Sequence, residues 1–281
     1  MSSLSIPGRV ALITGGARGI GFATAAELVR RGARVALLDR DGEACEQAAS
    51  TLPQESVLAL GGDVTDAGAM QRAVAATVER FGGLDIVVAN AGVALPAMTF
   101  RRTPSEQFER VLDVNLTGVY RTVAAALGPV TERRGQIVVI SSVYAFSNGM
   151  GEAPYAMSKA AVEQFGRALR AEMTPFGVGV TVAYFGFIDT DMVKGALDHD
   201  PLAEELLGTL PAPLRRRLRP SQAGEALAEA IERRRPRVIR PRRWIALSLA
   251  RGVTEPILDA AIVRTERVQR VLRAIDERGP R

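Results

Sequence analysis

Short apolar segments alternate with amphipathic segments along most of this 281-residue chain. Glycine and polar residues bound each apolar segment, a pattern typical of strands buried inside a sheet. Six such segments predict strands: Val10–Ile13, Val35–Leu38, Val57–Leu60, Leu84–Ala89, Ile137–Ile140 and Val178–Tyr184. Between them, apolar residues at helical spacing predict helices such as Ile20–Arg31, Ala67–Phe81 and Tyr155–Met173. This alternation indicates right-handed crossovers and a doubly wound α/β fold of the Rossmann type, with a mostly parallel sheet and helices on both faces.

The pattern changes near the carboxyl end of the chain. Arg237–Arg240 lies between two prolines and predicts a last short strand at the sheet edge. Beyond it, Trp244–Ala250 predicts a short helix and Glu255–Asp276 predicts a longer one. The apolar stripe of the longer helix consists of Leu258, Ile262, Val268, Leu272 and Ile275. A stripe this regular needs a protein surface to bury it.

This change of pattern divides the chain into two predicted parts. We expect a Rossmann-fold domain over residues 1–241 and a C-terminal helical extension over residues 242–281. The extension covers a pocket, as a lid, or contacts another subunit.

The charge is unevenly distributed. The net charge is +5, but residues 211–281 hold 18 arginines and 8 acidic residues, against 18 basic and 23 acidic residues before them. Nucleic-acid binding would call for aromatic residues among these charges, and the basic segment has only Trp244. We therefore expect no nucleic-acid partner. Contact of the basic tail with an acidic membrane surface is an alternative that we do not favour.

The single cysteine and the single histidine exclude several kinds of chemistry. One cysteine, Cys45, permits neither an intrachain disulfide nor a cysteine-based metal cluster. Ser-His-Asp catalysis would have to use His199, the only histidine. His199 stands between Asp198 and Asp200, which we interpret as a polar loop, and we expect no metal site. No apolar run of about 18 residues and no secretory signal are present, so we expect a cytoplasmic protein.

A glycine-rich turn follows the first predicted strand. Residues 14–21 read TGGARGIG and lead directly into a predicted helix. Glycines allow a pyrophosphate to approach such a turn closely, and the N-terminus of the helix offers free N–H groups and a favourable dipole. We expect the cofactor to bind here through Gly15, Arg18, Gly19, Ile20 and Gly21.

Asp39, at the end of the second predicted strand, indicates which nucleotide binds. Its carboxylate can accept hydrogen bonds from the ribose hydroxyls of the adenosine and would repel the 2′-phosphate of NADP. The sequence therefore favours NAD. Arg18 and Arg40 leave NADP open as the less favoured cofactor, because either guanidinium can pair with a phosphate.

Tyr155 and Lys159 are candidates for acid–base chemistry. They are four residues apart on a predicted helix and so share one face. A free phenol has a pKa of about 10, and a nearby ammonium group lowers it toward neutrality. Ser142 lies 13 residues earlier, at the end of a predicted strand, where its hydroxyl can polarise a substrate oxygen.

In this order, the glycine turn, Asn90-Ala91-Gly92, Asn115, Ser142 and the Tyr155-x-x-x-Lys159 motif resemble the short-chain dehydrogenase/reductase family. The resemblance runs from about Arg9 to Pro241, and the glycine spacing is that of the simple single-domain members. It implies an NAD(P)-dependent oxidoreductase that interconverts a secondary alcohol and a ketone. It also implies a homodimer or homotetramer.

The resemblance assigns roles to individual residues. Tyr155 would move the proton of the substrate oxygen, Lys159 would also hold the nicotinamide ribose, and Asn115 would anchor a water leading to the lysine. Asp63 and Val64 would contact the adenine, and Thr190 the carboxamide. The other cofactor contacts would be Arg40, Asn90, Ala91, Gly92, Gly186 and Ile188. Family members commonly carry Pro-Gly after the sixth strand, where this chain has Phe185-Gly186.

The loops after the fourth, fifth and sixth predicted strands supply an apolar substrate pocket. Its expected lining is Val93, Leu95, Tyr144, Met150, Phe185, Phe187, Met192 and Val193. Such a lining suits a lipophilic substrate of the steroid, terpenoid or acyl-chain type. Two alternatives stay open: a non-catalytic module that senses NAD, and an NADPH-dependent ketoreductase for acyl thioesters.

Overall fold

Seven parallel strands form one sheet in the computed structural model, which describes residues 3–279. The strands are β1 (Val10–Thr14), β2 (Arg34–Asp39), β3 (Val57–Gly61), β4 (Ile86–Ala89), β5 (Gln136–Ser142), β6 (Gly179–Phe185) and β7 (Arg237–Arg240). Their order in the sheet is β3-β2-β1-β4-β5-β6-β7, and every neighbouring pair is parallel. The order reverses between β1 and β4, which is where ligands bind in sheets of this kind.

Helices cover both faces of the sheet. They are α1 (Gly19–Arg30), α2 (Gly42–Ser50), α3 (Ala67–Phe81), α4 (Ser105–Leu112), α5 (Gly118–Glu132), α6 (Ala153–Met173), α7 (Asp191–Val193), α8 (Pro201–Leu207), α9 (Ala212–Arg215), α10 (Pro220–Glu232), α11 (Trp244–Arg264) and α12 (Glu266–Arg278). A π-helical turn, Asp113–Thr117, joins α4 to α5. The doubly wound α/β fold expected from the sequence is confirmed.

Alternate side chains of each strand enter two separate cores. In β1, Val10 and Leu12 pack on the side that holds α3, α5 and α6. Ala11 and Ile13 pack on the other side, against α1, α2 and α10. Because both faces of every central strand are buried, the strands appear in the sequence as continuous apolar runs rather than as alternating ones.

The C-terminal helices differ from the sequence prediction. The predicted gap between Ala250 and Glu255 is wrong, because α11 continues through it and ends only at Arg264. The Arg251 guanidinium pairs with both carboxylate oxygens of the buried Glu163 on α6, at 2.9 and 2.8 Å, and this contact holds the helix through that segment. The break comes at Thr265, whose backbone is extended.

The second of these helices, α12, packs beside the loops that follow β4 and β6. Its buried side chains Val268, Val271 and Ile275 form an apolar cluster with Ala97 and with Leu206 of α8. Val268 and Ile275 belong to the predicted stripe, whereas Leu258 of the same stripe is exposed. The extension therefore packs against the domain that precedes it.

An ion pair fixes the end of α12. Arg278 contacts both carboxylate oxygens of Asp200 at 2.6 Å, and Asp200 is buried. Arg278 also donates to the Ala97 carbonyl at 2.6 Å. A buried charge needs such a partner, so this contact ties the C-terminal helix to the loops that follow β4 and β6.

Candidate active site

A cavity of about 490 Å³ opens at the carboxyl ends of the strands. All but one of the expected cofactor residues line it: Gly15, Arg18, Gly19, Ile20, Asp39, Arg40, Asp63, Val64, Asn90, Ala91, Gly92, Tyr155, Lys159, Gly186, Ile188 and Thr190. The sequence did not single out Leu38, Gly62, Ala94, Val114, Ile140, Ser141 and Asp191, which line it as well. Most of these residues lie at or just after a strand end, next to a motif residue, and so face the same cavity.

The glycine turn is shaped for a phosphate group. A Cβ on Gly21 would lie 2.1 Å from the Gly15 carbonyl oxygen, so only glycine fits beneath the turn. Gly15 has a φ of +64°, and its Cβ would lie 2.9 Å from the Ala91 Cα. Gly21 itself does not line the cavity, because it lies beneath the turn. Its lack of a side chain allows α1 to begin close to β1. The cradle at the N-terminus of α1 fits a pyrophosphate.

Backbone amides hold Asp39 at the edge of this cavity. Its Oδ2 accepts the Ala17 N–H at 3.2 Å, and its Oδ1 accepts the Asp41 N–H at 3.3 Å. Arg18 is exposed and lies 3.7 Å from Asp41 rather than beside Asp39. Arg40 is also exposed. The fixed charge at the Asp39 end of the cavity is therefore negative.

Asn90 joins the glycine turn to the end of β4. Its side-chain amide donates to the carbonyls of Thr14 and Gly15 at 2.9 and 3.1 Å. The Thr14 hydroxyl in turn accepts the N–H groups of Asn90 and Ala91, both at 3.1 Å. These bonds fix the two neighbouring strand ends between which the cavity opens.

Helix α6 carries Tyr155 and Lys159 toward the same cavity. A Cβ on Gly166 would lie 2.6 Å from Val182 and 2.7 Å from Val139, so the helix packs directly on β5 and β6. The Lys159 ammonium donates to the Ile140 carbonyl at 3.1 Å and lies 5.5 Å from the centre of the Tyr155 ring. The expected pair thus shares one face of the helix and lines the cavity.

Burial changes the acidity of both groups. It raises the pKa of Tyr155 to about 12, and a hydrogen bond with Ser142 partly offsets this increase. Burial lowers the pKa of Lys159 to about 8. Tyr155 is therefore a neutral phenol in the protein alone, and it needs added positive charge nearby to form a phenolate near neutral pH.

Asn115 and Ser142 lie beside this pair. Asn115 stands on the π-helical turn, where its Oδ1 accepts the Val93 N–H at 2.7 Å and its Nδ2 donates to the Val93 carbonyl at 2.9 Å. A Cβ on Gly92 would approach both Asn115 and Lys159, at 3.2 and 3.5 Å. The Ser142 hydroxyl donates to the Phe185 carbonyl at 3.2 Å. The four expected catalytic residues are thus brought together.

The expected substrate residues divide into those that line the cavity and those that do not. Val93, Phe185, Met192 and Val193 line the cavity. Tyr144 packs edge-on against Tyr155, with ring centres 5.6 Å apart.

Other expected pocket residues are placed elsewhere. Phe187 is buried in the core with Phe146 and Trp244, and Met150 packs in the apolar cluster under α12. Leu95 is half-buried and does not line the cavity. The direction of a side chain after a strand end depends on the path of the loop, and an apolar pattern in the sequence does not define that path.

The sequence did not identify Glu152 or Trp244 as neighbours of the site. Glu152 immediately precedes α6, where an acid is ordinary because it suits the helix dipole. Trp244 is the first residue of α11, and its Nε1 would lie 2.8 Å from a Cβ on Gly186. In the sequence, the only feature that distinguished Trp244 was its position at the start of a predicted helix.

Comparisons with known proteins identify the family of this chain. The "short chain dehydrogenase" family profile matches residues 9–201. The 2-(R)-hydroxypropyl-CoM dehydrogenase of Xanthobacter autotrophicus is 35% identical over 209 residues, which are 72% of this chain and 84% of the relative. The L-fucose dehydrogenase of Rattus norvegicus is 36% identical over 223 residues, which are 78% of this chain and 81% of the relative.

A solved structure extends the comparison to the fold. The 3-ketoacyl-(acyl-carrier-protein) reductase from Brucella melitensis, complexed with NADH, matches with a TM-score of 0.76 and 25% identity. The match covers 84% of this chain and 98% of that one. The family profile alone covers more than half of the chain. The protein belongs to the short-chain dehydrogenase/reductase family and is an NAD(P)-dependent oxidoreductase that acts on CH–OH groups.

Proposed function

We propose that this protein uses NAD to interconvert a secondary alcohol and a ketone, with Tyr155 as the general acid/base. The observation that carries the proposal is a cavity lined by Asp39, Tyr155 and Lys159, with Ser142 beside Tyr155. The bound nicotinamide supplies the acceptor or donor of the hydride. The chain supplies the proton transfer, the orientation of the substrate oxygen and the electrostatics.

Each of these side chains has one task. In oxidation, Tyr155 accepts the hydroxyl proton of the substrate, and in reduction it returns the proton to the carbonyl oxygen. The Ser142 hydroxyl, which lowers the pKa of Tyr155, holds that oxygen in place. Lys159 and Asn115, through a bridging water, supply the charge and the path that a phenolate at Tyr155 requires.

Replacing Asp39 by serine tests the choice of NAD. We expect the preference for NADH over NADPH in binding to fall by about 10- to 100-fold, because the carboxylate no longer accepts the ribose hydroxyls or repels the phosphate. Titration of the nicotinamide fluorescence with each cofactor measures this ratio. Glu43→Gln is the matched control, since it removes an exposed acid from the adjacent helix α2. An unchanged ratio in Asp39→Ser contradicts the assignment.

The substrate we propose has a lipophilic body. Val93, Phe185 and Val193 give the nicotinamide end an apolar wall, and the apolar cluster under α12 continues on the same side. Residues 242–281 then act as a lid on this side of a Rossmann domain. Steroid-, terpenoid- or acyl-chain-like alcohols fit such a wall.

Acyl-thioester reduction is the second candidate, favoured by the similarity to the Brucella melitensis reductase. Asp39 argues against it where NADPH is the reductant. The assay that separates the two offers NADH or NADPH with acetoacetyl thioester and with an apolar ketone. Faster thioester reduction with NADPH contradicts the proposal made above.

The exposed apolar face of α11 supports the proposal that the protein forms a homo-oligomer. Leu249, Val253 and Val263 are about 70% exposed, and with Pro256 and Ala260 they follow one another at alternating steps of four and three residues. This spacing is typical of a seam between two helices. In the part of the chain that the structure describes, no helix is long and apolar enough to cross a membrane. A second copy of the chain, docked through the same seam, is the occupant we propose.

Val253→Glu tests the seam. We expect the particle mass measured by light scattering to fall by half or more at micromolar concentration, because each interface would bury two unpaired carboxylates. Phe176→Glu, which places the same charge at another exposed apolar residue, is the control. An unchanged mass contradicts the seam. Sedimentation with anionic vesicles that only Val253→Glu abolishes would assign the face to a membrane instead.

A further inference from the structure

The chain that follows β6 forms part of the cavity wall. Residues 186–198, which we call the post-β6 segment, contain α7 and a π-helical turn over Lys194–Asp198. Six residues of the segment line the cavity: Gly186, Ile188, Thr190, Asp191, Met192 and Val193. A cofactor bound in the cavity therefore leaves more easily when this segment moves away.

Backbone hydrogen bonds join the segment to Leu218. The Leu218 N–H donates to the Phe187 carbonyl at 3.0 Å, and the Asp189 N–H donates to the Leu218 carbonyl at 2.8 Å. Ile188, between these two residues, pairs with Leu218 in a parallel bridge. Three consecutive residues of the segment are thereby held by the residue that follows Arg217 in the sequence.

The Arg217 guanidinium contacts the segment at two places. It pairs with both carboxylate oxygens of Asp198, one of them at 2.9 Å, and lies 3.8 Å from the Asp189 carboxylate. The hydrogen bond from Arg217 lowers the pKa of Asp198, so the pair is ionised at neutral pH. Arg217 itself does not line the cavity. It can therefore influence the contacts of a bound cofactor only through the segment that it holds.

The pair is accessible to water, which limits its effect on the stability of the whole protein. The side chains of Arg217, Asp198 and Asp189 are 27%, 38% and 47% exposed. Exposed ion pairs add little to the free energy of unfolding, but a bidentate contact can bias the opening of a short segment. Loss of these contacts is therefore expressed as local opening of the segment rather than as unfolding of the domain.

We propose that Arg217 is a positioning residue that holds the post-β6 segment against the cavity and so slows the departure of the bound nicotinamide cofactor. The inference rests on the proposed function in one respect, since the cofactor must occupy this cavity. Tyr155 and Lys159 lie on α6 rather than on the segment. Loss of Arg217 therefore changes the retention of the cofactor and leaves the groups that move the proton in place.

Stopped-flow displacement of NADH measures this retention directly. We expect Arg217→Gln and Asp198→Asn each to raise the NADH dissociation rate by about five-fold, with the association rate within about two-fold. KM for NAD should rise while kcat does not fall, because the proton-transfer groups are unchanged. The double variant should match Arg217→Gln, since both substitutions remove the same contact.

Arg233→Gln is the matched control, because Arg233 pairs with Glu229 of α10 at 3.5 Å, away from the segment. It should leave both NADH rates unchanged. Thermal melts of all variants should stay within about 2 °C of one another, as expected for exposed pairs. A larger drop in Arg217→Gln alone would mean that the contact stabilises the whole domain, which overturns the inference.

The two single variants also separate loss of a contact from a long-range effect of charge. Arg217→Gln removes a positive charge and Asp198→Asn removes a negative one. A charge effect alone would therefore change the affinity for the anionic cofactor in opposite directions. Loss of the contact raises the dissociation rate in both variants, so opposite changes overturn the inference.

A protease that cleaves after lysine reports on the segment without any cofactor. The sequence has two lysines, of which Lys159 is 4% exposed and Lys194, in the segment, is half-exposed. Lys194 begins the π-helical turn, so cleavage there follows the population in which the segment is open. We expect this cleavage to be about five-fold faster in Arg217→Gln and Asp198→Asn than in the unsubstituted protein. Added NADH should slow it in each protein.

The outcomes separate this inference from the proposed function. Unchanged cleavage after Lys194 in both variants overturns the inference, and so does faster cleavage with an unchanged NADH dissociation rate. In either case, loss of turnover in Tyr155→Phe leaves the proposed function standing. Faster cleavage together with faster NADH dissociation, in a protein that oxidises no secondary alcohol, supports the inference and contradicts the alcohol chemistry.

Discussion

Tyr155→Phe is expected to lower kcat for alcohol oxidation by about 1,000-fold, while the affinity for NADH stays within about two-fold. The substitution removes only the hydroxyl group, which the site needs as the proton acceptor. The ring remains, with its edge contact to Tyr144 and its place above the Lys159 ammonium. Stopped-flow absorbance of the reduced nicotinamide measures the rate, and fluorescence titration measures the affinity.

Tyr184→Phe is the matched control for this experiment. Tyr184 is a buried tyrosine on β6 that does not line the cavity, so the same chemical change there should alter kcat less than about two-fold. A comparable loss in both variants would mean that Tyr155→Phe acts through packing. Full activity in Tyr155→Phe would assign the proton transfer to another group.

Lys159→Arg is expected to lower kcat/KM by about 100-fold or more and to weaken NADH binding as well. Lys159 is 4% exposed, and its compact ammonium fits between the Ile140 carbonyl and Gly92. A guanidinium is larger and planar, so it cannot occupy this space without displacing its neighbours. An arginine at position 159 therefore keeps the positive charge but not the function.

Lys194 provides the control, because it is the other lysine of the sequence. It is half-exposed and lies 3.8 Å from Asp189, so Lys194→Arg should leave kcat/KM within about two-fold. Thermal melts of both variants show whether Lys159→Arg still folds. A folded Lys159→Arg protein with normal turnover would contradict the role given to the ammonium.

The sequence predicted the fold well wherever a single local rule applied. Helix α3 spans the predicted residues, Ala67–Phe81, because Asp66 caps its first turn and Gly82 ends it in a left-handed conformation. The glycine turn was equally predictable, since close backbone approach leaves no alternative to glycine at residue 21. Such features depend on a few neighbouring residues and can be recognised in one chain.

The features that the sequence did not reveal depend on contacts between distant segments. Helix α11 continues through Gly252 and Pro256, although both are poor helix residues, because Arg251 is bound to Glu163 on α6. Glu152 resembles an ordinary acid at a helix start, although its Oε2 is buried in the folded protein. Local propensity carries no information about either arrangement.

The contact between Gly186 and Trp244 couples the cofactor cavity to the C-terminal extension. Any larger residue at position 186 would strike the indole, because its Cβ would lie 2.8 Å from Nε1. Gly186 also lines the cofactor cavity, immediately after β6. Trp244 therefore restricts position 186 to glycine, so residues 242–281 could be transplanted only onto a relative whose chain also has glycine at that place.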